Sequence, residues 1–301
     1  MQIIHSNSEL GYGYNAVSMK GKENMARQNE VFLYGMVMQE PQILTDGNGN
    51  YLRGSVPIQT IRGKREISNR QLVNVRFDAP IIMSGDPDVI ETMKNLKPFD
   101  MVEVKGTYTT KDINRAKMCE CGHKNIKQGT ASFISPIYLG IRETGNTEAA
   151  GKQLLELRCE ISNTITVIGN VTADPVYTEE RTKMIQYTLA VTRKYFLKED
   201  VTRSRVDFPH IKAFGSIAEE DKKRIRKGTK VMVNGMLQTR QYVQDIVCEE
   251  CGKTLSYTAS AMEIIPYSTE YLKDYVTDEE LQEKQAAEAE KKEKELFGGE
   301  L

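Results

Sequence analysis

Residues 229–254 read TKVMVNGMLQTRQYVQDIVCEECGKT, and residues 100–125 read DMVEVKGTYTTKDINRAKMCECGHKN. In each, apolar and polar residues alternate up to a glycine, and a cysteine stands 13 residues beyond it: Cys119 after Gly106, Cys248 after Gly235. Alternation with period two marks strands with one buried face. Matching landmarks in one order and at one spacing predict a β unit written twice.

Working outward, the repeat widens. Upstream lie VFLYGMVMQEPQI (31–43) and ITVIGNVTADPVY (165–177), each with a glycine and then a proline six positions on (Gly35 and Pro41, Gly169 and Pro175). Downstream lie ASFISPIYL and TASAMEIIPYS. In the second unit the alternation predicts strands over 163–171, 184–193, 206–214, 229–247 and 257–265. SIAEEDKKRIRKG predicts a helix between the third and fourth strands. It has Ser216 and Glu219 at capping-box spacing and a stop at Gly228. The first unit's counterpart, DPDVIETMKNLKPF, carries Pro87 where helix starts accept it. Five strands with a helix after the third match the order of an OB-fold. The expected fold is therefore mainly β: two tandem five-stranded OB-fold barrels, each with one short helix, and a helical or disordered acidic tail. The expected boundaries are a flexible segment 1–28, a divergent first barrel 29–143, a linker 144–162, a second barrel 163–267 and a tail 268–301.

The chain has 301 residues, 39% of them hydrophobic, enough for two packed cores. No run of 18 apolar residues occurs, so no membrane-spanning helix is expected, and the first residues have no basic start and apolar block of an export signal. A cytoplasmic, nucleoid-associated location is the expectation. The formal net charge is -1. Residues 268–301 hold eleven Asp or Glu and five Lys, leaving the body mildly basic. That balance suits a binder of polyanions whose tail stays off the ligand. Solvated surface charge fits it as well.

Four of the five cysteines lie in equivalent turns: Cys119 and Cys121 with His123 nearby, and Cys248 with Cys251. If the barrels pair about a pseudo-twofold axis, the turns meet, and four thiolates close one tetrahedral zinc with His123 as a substitute ligand. Separate incomplete sites, a redox pair and unliganded thiols stay open. Cys159 stands apart as a buried or idle thiol. His5 and His210 have no metal-like spacing.

DFPHIKAFGSIAE (207–219), KGTKVMVNGMLQTRQY (227–242), VIGNVTADP (167–175) and YTLAVTRKY (187–195) resemble the bacterial single-stranded DNA-binding protein family, SSB. The resemblance covers most of residues 163–242. It implies an OB barrel, binding of single strands without strong sequence preference, four barrels per assembly, and a tail that recruits replication and repair proteins. It also implies that Phe208, Phe214 and Tyr242 contact bases, with Tyr195 or Phe196 as a further ring. Such binding needs cations along the phosphates and flat rings against the bases. Arg193, Lys194, Arg203, Arg205, Lys212 and Arg240 are interleaved among the rings, and 193–205 reads as a basic loop that orders on binding. Phe214 has a competing role as barrel filling. The first unit keeps cations (Arg62, Lys64, Arg65, Arg70, Arg76, Lys111, Arg115), but it places Gln71 against Phe208 and Ile113 against Tyr242, with only Phe77 opposite Phe214. Its stacking is therefore in doubt.

The expected function is coating of exposed single-stranded DNA in replication, recombination, repair or plasmid transfer, by a homodimer presenting four barrels. The alternative is a protein-docking scaffold of barrels and zinc hairpins. A zinc-dependent nucleic-acid enzyme is disfavoured: no H-x-E precedes a C-x-x-C, and no Walker loop or Ser-His-Asp set occurs.

Overall fold

A computed structural model of the chain describes residues 26–194, 197 and 206–273. Tyr195, Phe196, Arg203 and Arg205, most of the N-terminal segment and the acidic stretch from 274 onward lie outside the described residues.

The first barrel comprises β1 (Gln28–Val37), β2 (Gln42–Thr45), β3 (Tyr51–Arg65), β4 (Leu72–Asp78), β5 (Ile81–Ser84), α1 (Pro87–Lys94), β6 (Met101–Met118) and β7 (Lys124–Glu143). Then come α2 (Glu148–Leu157) and α3 (Cys159–Ser162). The second barrel comprises β8 (Asn163–Val171), β9 (Val176–Thr178), β10 (Met184–Thr192), β11 (Val206–Asp207), β12 (His210–Phe214), α4 (Gly215–Arg224), β13 (Lys230–Val247) and β14 (Thr254–Lys273). Each barrel closes through the same five pairings. In the second, β8 pairs β10, β10 pairs β12, β12 pairs β14 in parallel, β14 pairs β13, and β13 returns to β8. In the first the ring runs β1, β3, β5, β7, β6, with β5 and β7 parallel. The duplicated β unit is thus a duplicated five-stranded barrel.

The barrels join edge to edge. β1 and β8 pair antiparallel, with Val31 opposite Ile165, Gln28 opposite Ile168 and Leu33 opposite Asn163. Val31 and Ile165 each precede their landmark glycine by four residues, so a residue faces its own copy and a pseudo-twofold axis passes between them. The apolar interior follows the alternation. Val31, Leu33, Ile58, Ile82, Val104 and Ile134 share one buried cluster with Ile165, Val167, Ile211, Val233 and Ile264. Truncating one of the fully buried isoleucines to alanine is worth about 2–5 kcal/mol. Where β1 leaves β6, Asn29 replaces the ladder: its side chain donates to Tyr108 O and accepts from Tyr108 N, both at 2.8 Å. Asn163 does the same at Leu237.

Three local expectations are corrected. Residues 144–162 are not a bare linker: α2 starts at Thr147, whose side chain caps the Ala150 amide, and runs on to α3. Leu155 and Cys159 close a second cluster with Tyr34, Met36, Ile61 and Met101 on the outside of the first barrel. The α4 helix is not opened by Ser216. Its N-cap is Phe214, without a side-chain hydrogen bond, because β12 turns straight into the helix at Gly215 (φ +60°). It also ends at Arg224, with Ile225 as its C-cap, before Gly228. Finally, β14 runs past residue 267 to Lys273, so the start of the expected tail is strand.

Candidate nucleic-acid interface and thiol cluster

On the second barrel, β12 puts Ile211 and Ala213 inside and sends the even-numbered side chains outward. The outward row is Phe208, His210, Lys212 and Phe214, and Phe208 and Phe214 are 49% and 38% exposed. Phe214 is therefore not barrel filling. Beside this row β10 sets Gln186 opposite Lys212 and Thr188 opposite His210. From β13, Arg240 and Tyr242 also face out, Tyr242 being 37% exposed. The Arg240 Nε donates to Glu263 Oε1 at 3.0 Å, and its guanidinium lies 5.1 Å from the Tyr242 ring centre. The Lys212 ammonium lies 6.0 Å from the Phe214 ring centre. Cations poised over exposed rings are the arrangement that single-strand recognition uses.

His210 was missed from sequence, although its place in the row 208, 210, 212, 214 was readable as period-two alternation. Its Nδ1 is 3.3 Å from Thr188 Oγ1. Burial lowers its pKa; Glu263 opposes, and Lys212 and Arg240 push the same way as burial. Arg193 belongs elsewhere than expected. Its side chain is 7% exposed and its guanidinium pairs with the fully buried Asp207, so it braces the barrel rather than facing phosphates. Lys194 is exposed at the end of β10.

Strand registers correct the expected equivalences of the first barrel. Ser55 opposite Met83 and Pro57 opposite Ile81 reproduce Gln186 opposite Lys212 and Thr188 opposite His210. The first barrel's row is therefore Ala79, Ile81, Met83 and Gly85. Ala79 matches Phe208 and Gly85 matches Phe214; Gln71 and Phe77 do not. Three of its expected phosphate contacts are engaged within the protein. Arg62 pairs with Asp78, and Arg65 with Glu160 of α3. Arg115 lies over the Tyr257 ring at 5.5 Å.

The hairpins β6–β7 and β13–β14 extend past the barrels and lie against each other. Lys117 Nζ donates to Ser256 O at 3.0 Å, Lys127 Nζ to Asp245 O at 2.8 Å, and the Glu249 amide to Asn125 Oδ1 at 3.2 Å. Each tip is a tight turn closed by glycine in left-handed conformation: Gly122 (φ +88°) donates to Cys119 O, and Gly252 (φ +71°) to Cys248 O. The tips bring together Cys119, Cys121, Cys248 and Cys251, their sulfurs all within 4.8 Å of one another. Cys119 and Cys251 are 3.6 Å apart across the junction, as are Cys121 and Cys248. The edge of a tetrahedron of sulfurs around zinc is about 3.8 Å, given bonds of about 2.3 Å. His123 does not join. Its Nδ1 is 3.9 Å from Glu250, and its backbone serves the turn, the carbonyl accepting from the Cys119 amide. The Cys251 backbone amide is the main influence drawing the Cys248 thiol down, to about 6. At Cys121 the His123 amide favours the thiolate, but the neighbouring thiols and burial prevail and push it up to about 12. Neighbouring thiolates oppose one another's charge, and a central cation relieves that opposition. Cys159 is buried away from this cluster.

The sequence profile of the single-strand binding protein family matches residues 162–263, the second barrel. A single-stranded DNA-binding protein of Staphylococcus epidermidis is 30% identical over 106 residues, 35% of this chain and 75% of the relative. One from Aquifex aeolicus is 32% identical over 85 residues, 28% of this chain, and the chain spans only 58% of that relative's length. The crystal structure of the wild-type single-stranded DNA binding protein from Thermus aquaticus superposes with a TM-score of 0.52 at 16% identity, covering 84% of this chain and 97% of that one. At such identity the likeness speaks to the fold, and it extends over both barrels.

Proposed function

This chain belongs to the single-strand binding protein family, and from that premise we propose that it binds and protects single-stranded DNA through the outer face of its second barrel, without sequence preference and without catalysis. The observation that carries the reading is the row Phe208, His210, Lys212, Phe214, with Tyr242 and Arg240 beside it and the rings open to solvent. Lys212 and Arg240 draw the strand in electrostatically, and each stacked base adds about 1–3 kcal/mol. Lys194, exposed just past β10, adds a further cation; Tyr195, Phe196, Arg203 and Arg205 lie outside the described residues. The first barrel serves mainly in assembly, and two chains supply the four barrels usual in the family. Replication, recombination and repair are the processes that expose such strands. A protein-docking scaffold with little nucleic-acid contact is not favoured for a chain whose named relatives are single-stranded DNA-binding proteins.

The thiol cluster holds one zinc, on this reading, ligated by Cys119, Cys121, Cys248 and Cys251. Its support is the donor set: four sulfurs from two hairpins at spacings that suit a closed tetrahedral site. Bound there, zinc supplies a crosslink between the hairpins rather than a reactive centre.

The test titrates labelled oligo-dT and duplex of equal length into the protein at two salt concentrations. Oligo-dT binds tighter, and its affinity falls with salt. Phe208→Ala combined with Tyr242→Ala weakens it by about thirtyfold or more, while Ile113→Ala leaves it within about twofold. Equal affinity for duplex refutes the reading.

A further inference from the structure

The ring of Phe208 is half exposed, so little packing fixes its direction; its backbone must. That backbone is held by the other barrel. The Phe208 N–H donates to Thr110 Oγ1 of β6 at 3.0 Å, and the Thr110 N–H donates to Asp207 Oδ1 at 2.9 Å. The remaining Asp207 oxygen accepts from Asn29 Nδ2, again of the first barrel, at 3.2 Å, and from Arg193. One threonine thus grips both the carboxylate before the ring and the amide that carries it.

The duplication supplies a mirror. Thr239 of β13 holds the first barrel in the same way: its N–H donates to Asp78 Oδ1 at 2.7 Å, and its Oγ1 accepts from the Ala79 amide at 2.8 Å. There the gripped residue has no ring. The same pair of hydrogen bonds serves docking alone at one end, and docking plus the aim of an aromatic side chain at the other.

We propose that Thr110 is a positioning residue for single-strand binding, so that the first barrel completes the second barrel's face although its own matching row carries no ring. This rests on the reading of that face as the DNA interface.

The experiment measures oligo-dT affinity and melting temperature on the full chain. Thr110→Val leaves the Phe208 amide without its partner and weakens binding about fivefold. Thr239→Val removes the equivalent bond at Ala79, lowers the melting temperature to a similar extent, and leaves affinity within about twofold. Thr110→Ser keeps the acceptor and restores binding. In a Phe208→Ala background, Thr110→Val weakens binding no further, because the ring it aims is gone. Equal losses of affinity in the two valine variants, or full additivity with Phe208→Ala, reduce Thr110 to a docking contact and overturn the inference. If Phe208→Ala alone does not weaken binding, the DNA-face reading falls and takes the inference with it. If Phe208→Ala weakens binding and Thr110→Val does not, only the inference falls. Should Thr110→Val fail to fold, Thr110→Ala carries the same comparisons.

Discussion

The two barrels share strand order, closure, the asparagine clamps at Asn29 and Asn163, and the threonine grips at Thr110 and Thr239. They part at one row of side chains: Phe208, His210, Lys212 and Phe214 on the second, Ala79, Ile81, Met83 and Gly85 on the first. Scaffold and junction have been kept in duplicate, and the outward chemistry has not. The reason is that every inward or junctional residue answers to neighbours on several strands, whereas an outward ring answers only to its ligand. On the proposed reading one face takes the strand and the other supports it. The α2 and α3 helices, lying on the outside of the first barrel and tying down Arg65, fit that division of labour.

The tips give the largest test, because there the barrels remain equal partners. If one zinc spans the junction, Cys248→Ser and Cys119→Ser each remove essentially all bound zinc, as read by elemental analysis, and lower the melting temperature alike. Closed structural zinc sites are worth about 10–16 kcal/mol in small domains, so the loss is large. Retention of half the metal in either variant points to a separate site in each hairpin and breaks the symmetry.

A graft tests the difference between the faces. Ala79→Phe with Ile113→Tyr gives the first barrel two of the rings it lacks. Oligo-dT affinity then rises about fivefold or more, taking the lower end of about 1–3 kcal/mol per stacked base. No gain means that the first face is closed for a reason other than missing rings.

The smallest expected effect concerns His210, which the first barrel replaces with Ile81. Burial lowers the folded-state pKa of His210 below its ordinary value, so the unfolded chain takes up its proton first. Its contribution to stability is complete above about pH 6.5 and is lost as pH falls below it. Wild type therefore loses more melting temperature than His210→Gln between neutral pH and about pH 5. Parallel curves for the two proteins remove His210 from the account.

Much is legible in the sequence alone. The Gly106-to-Cys119 and Gly235-to-Cys248 spacings disclosed the duplication, and period-two alternation disclosed the strands and the outward row. The equivalence of the faces is readable from the landmarks, since Gly85 stands 21 residues before Gly106 and Phe214 stands 21 before Gly235. Counting from Phe214 to Phe77 followed a shared ring, while the registers through Met83 and Lys212 set the true match. Arg193 was misread because charge in a sequence carries no burial: only folding shows that Asp207 takes it inward. The α2 helix hid in a stretch of small and polar residues whose apolar members, Leu154 and Leu155, mean little until a surface of Tyr34 and Met36 is there to meet them.

By itself the sequence determined the local periodicities, the repeated landmarks and the chemistry on offer: thiols, rings and cations in a given order along the chain. Those are properties of near neighbours, set by backbone geometry and residue type. The tertiary structure alone decided that Cys119 meets Cys251 and that Thr110 grips the amide of Phe208. Each of these joins residues more than ninety positions apart, and no local pattern encodes the register in which two closed barrels meet.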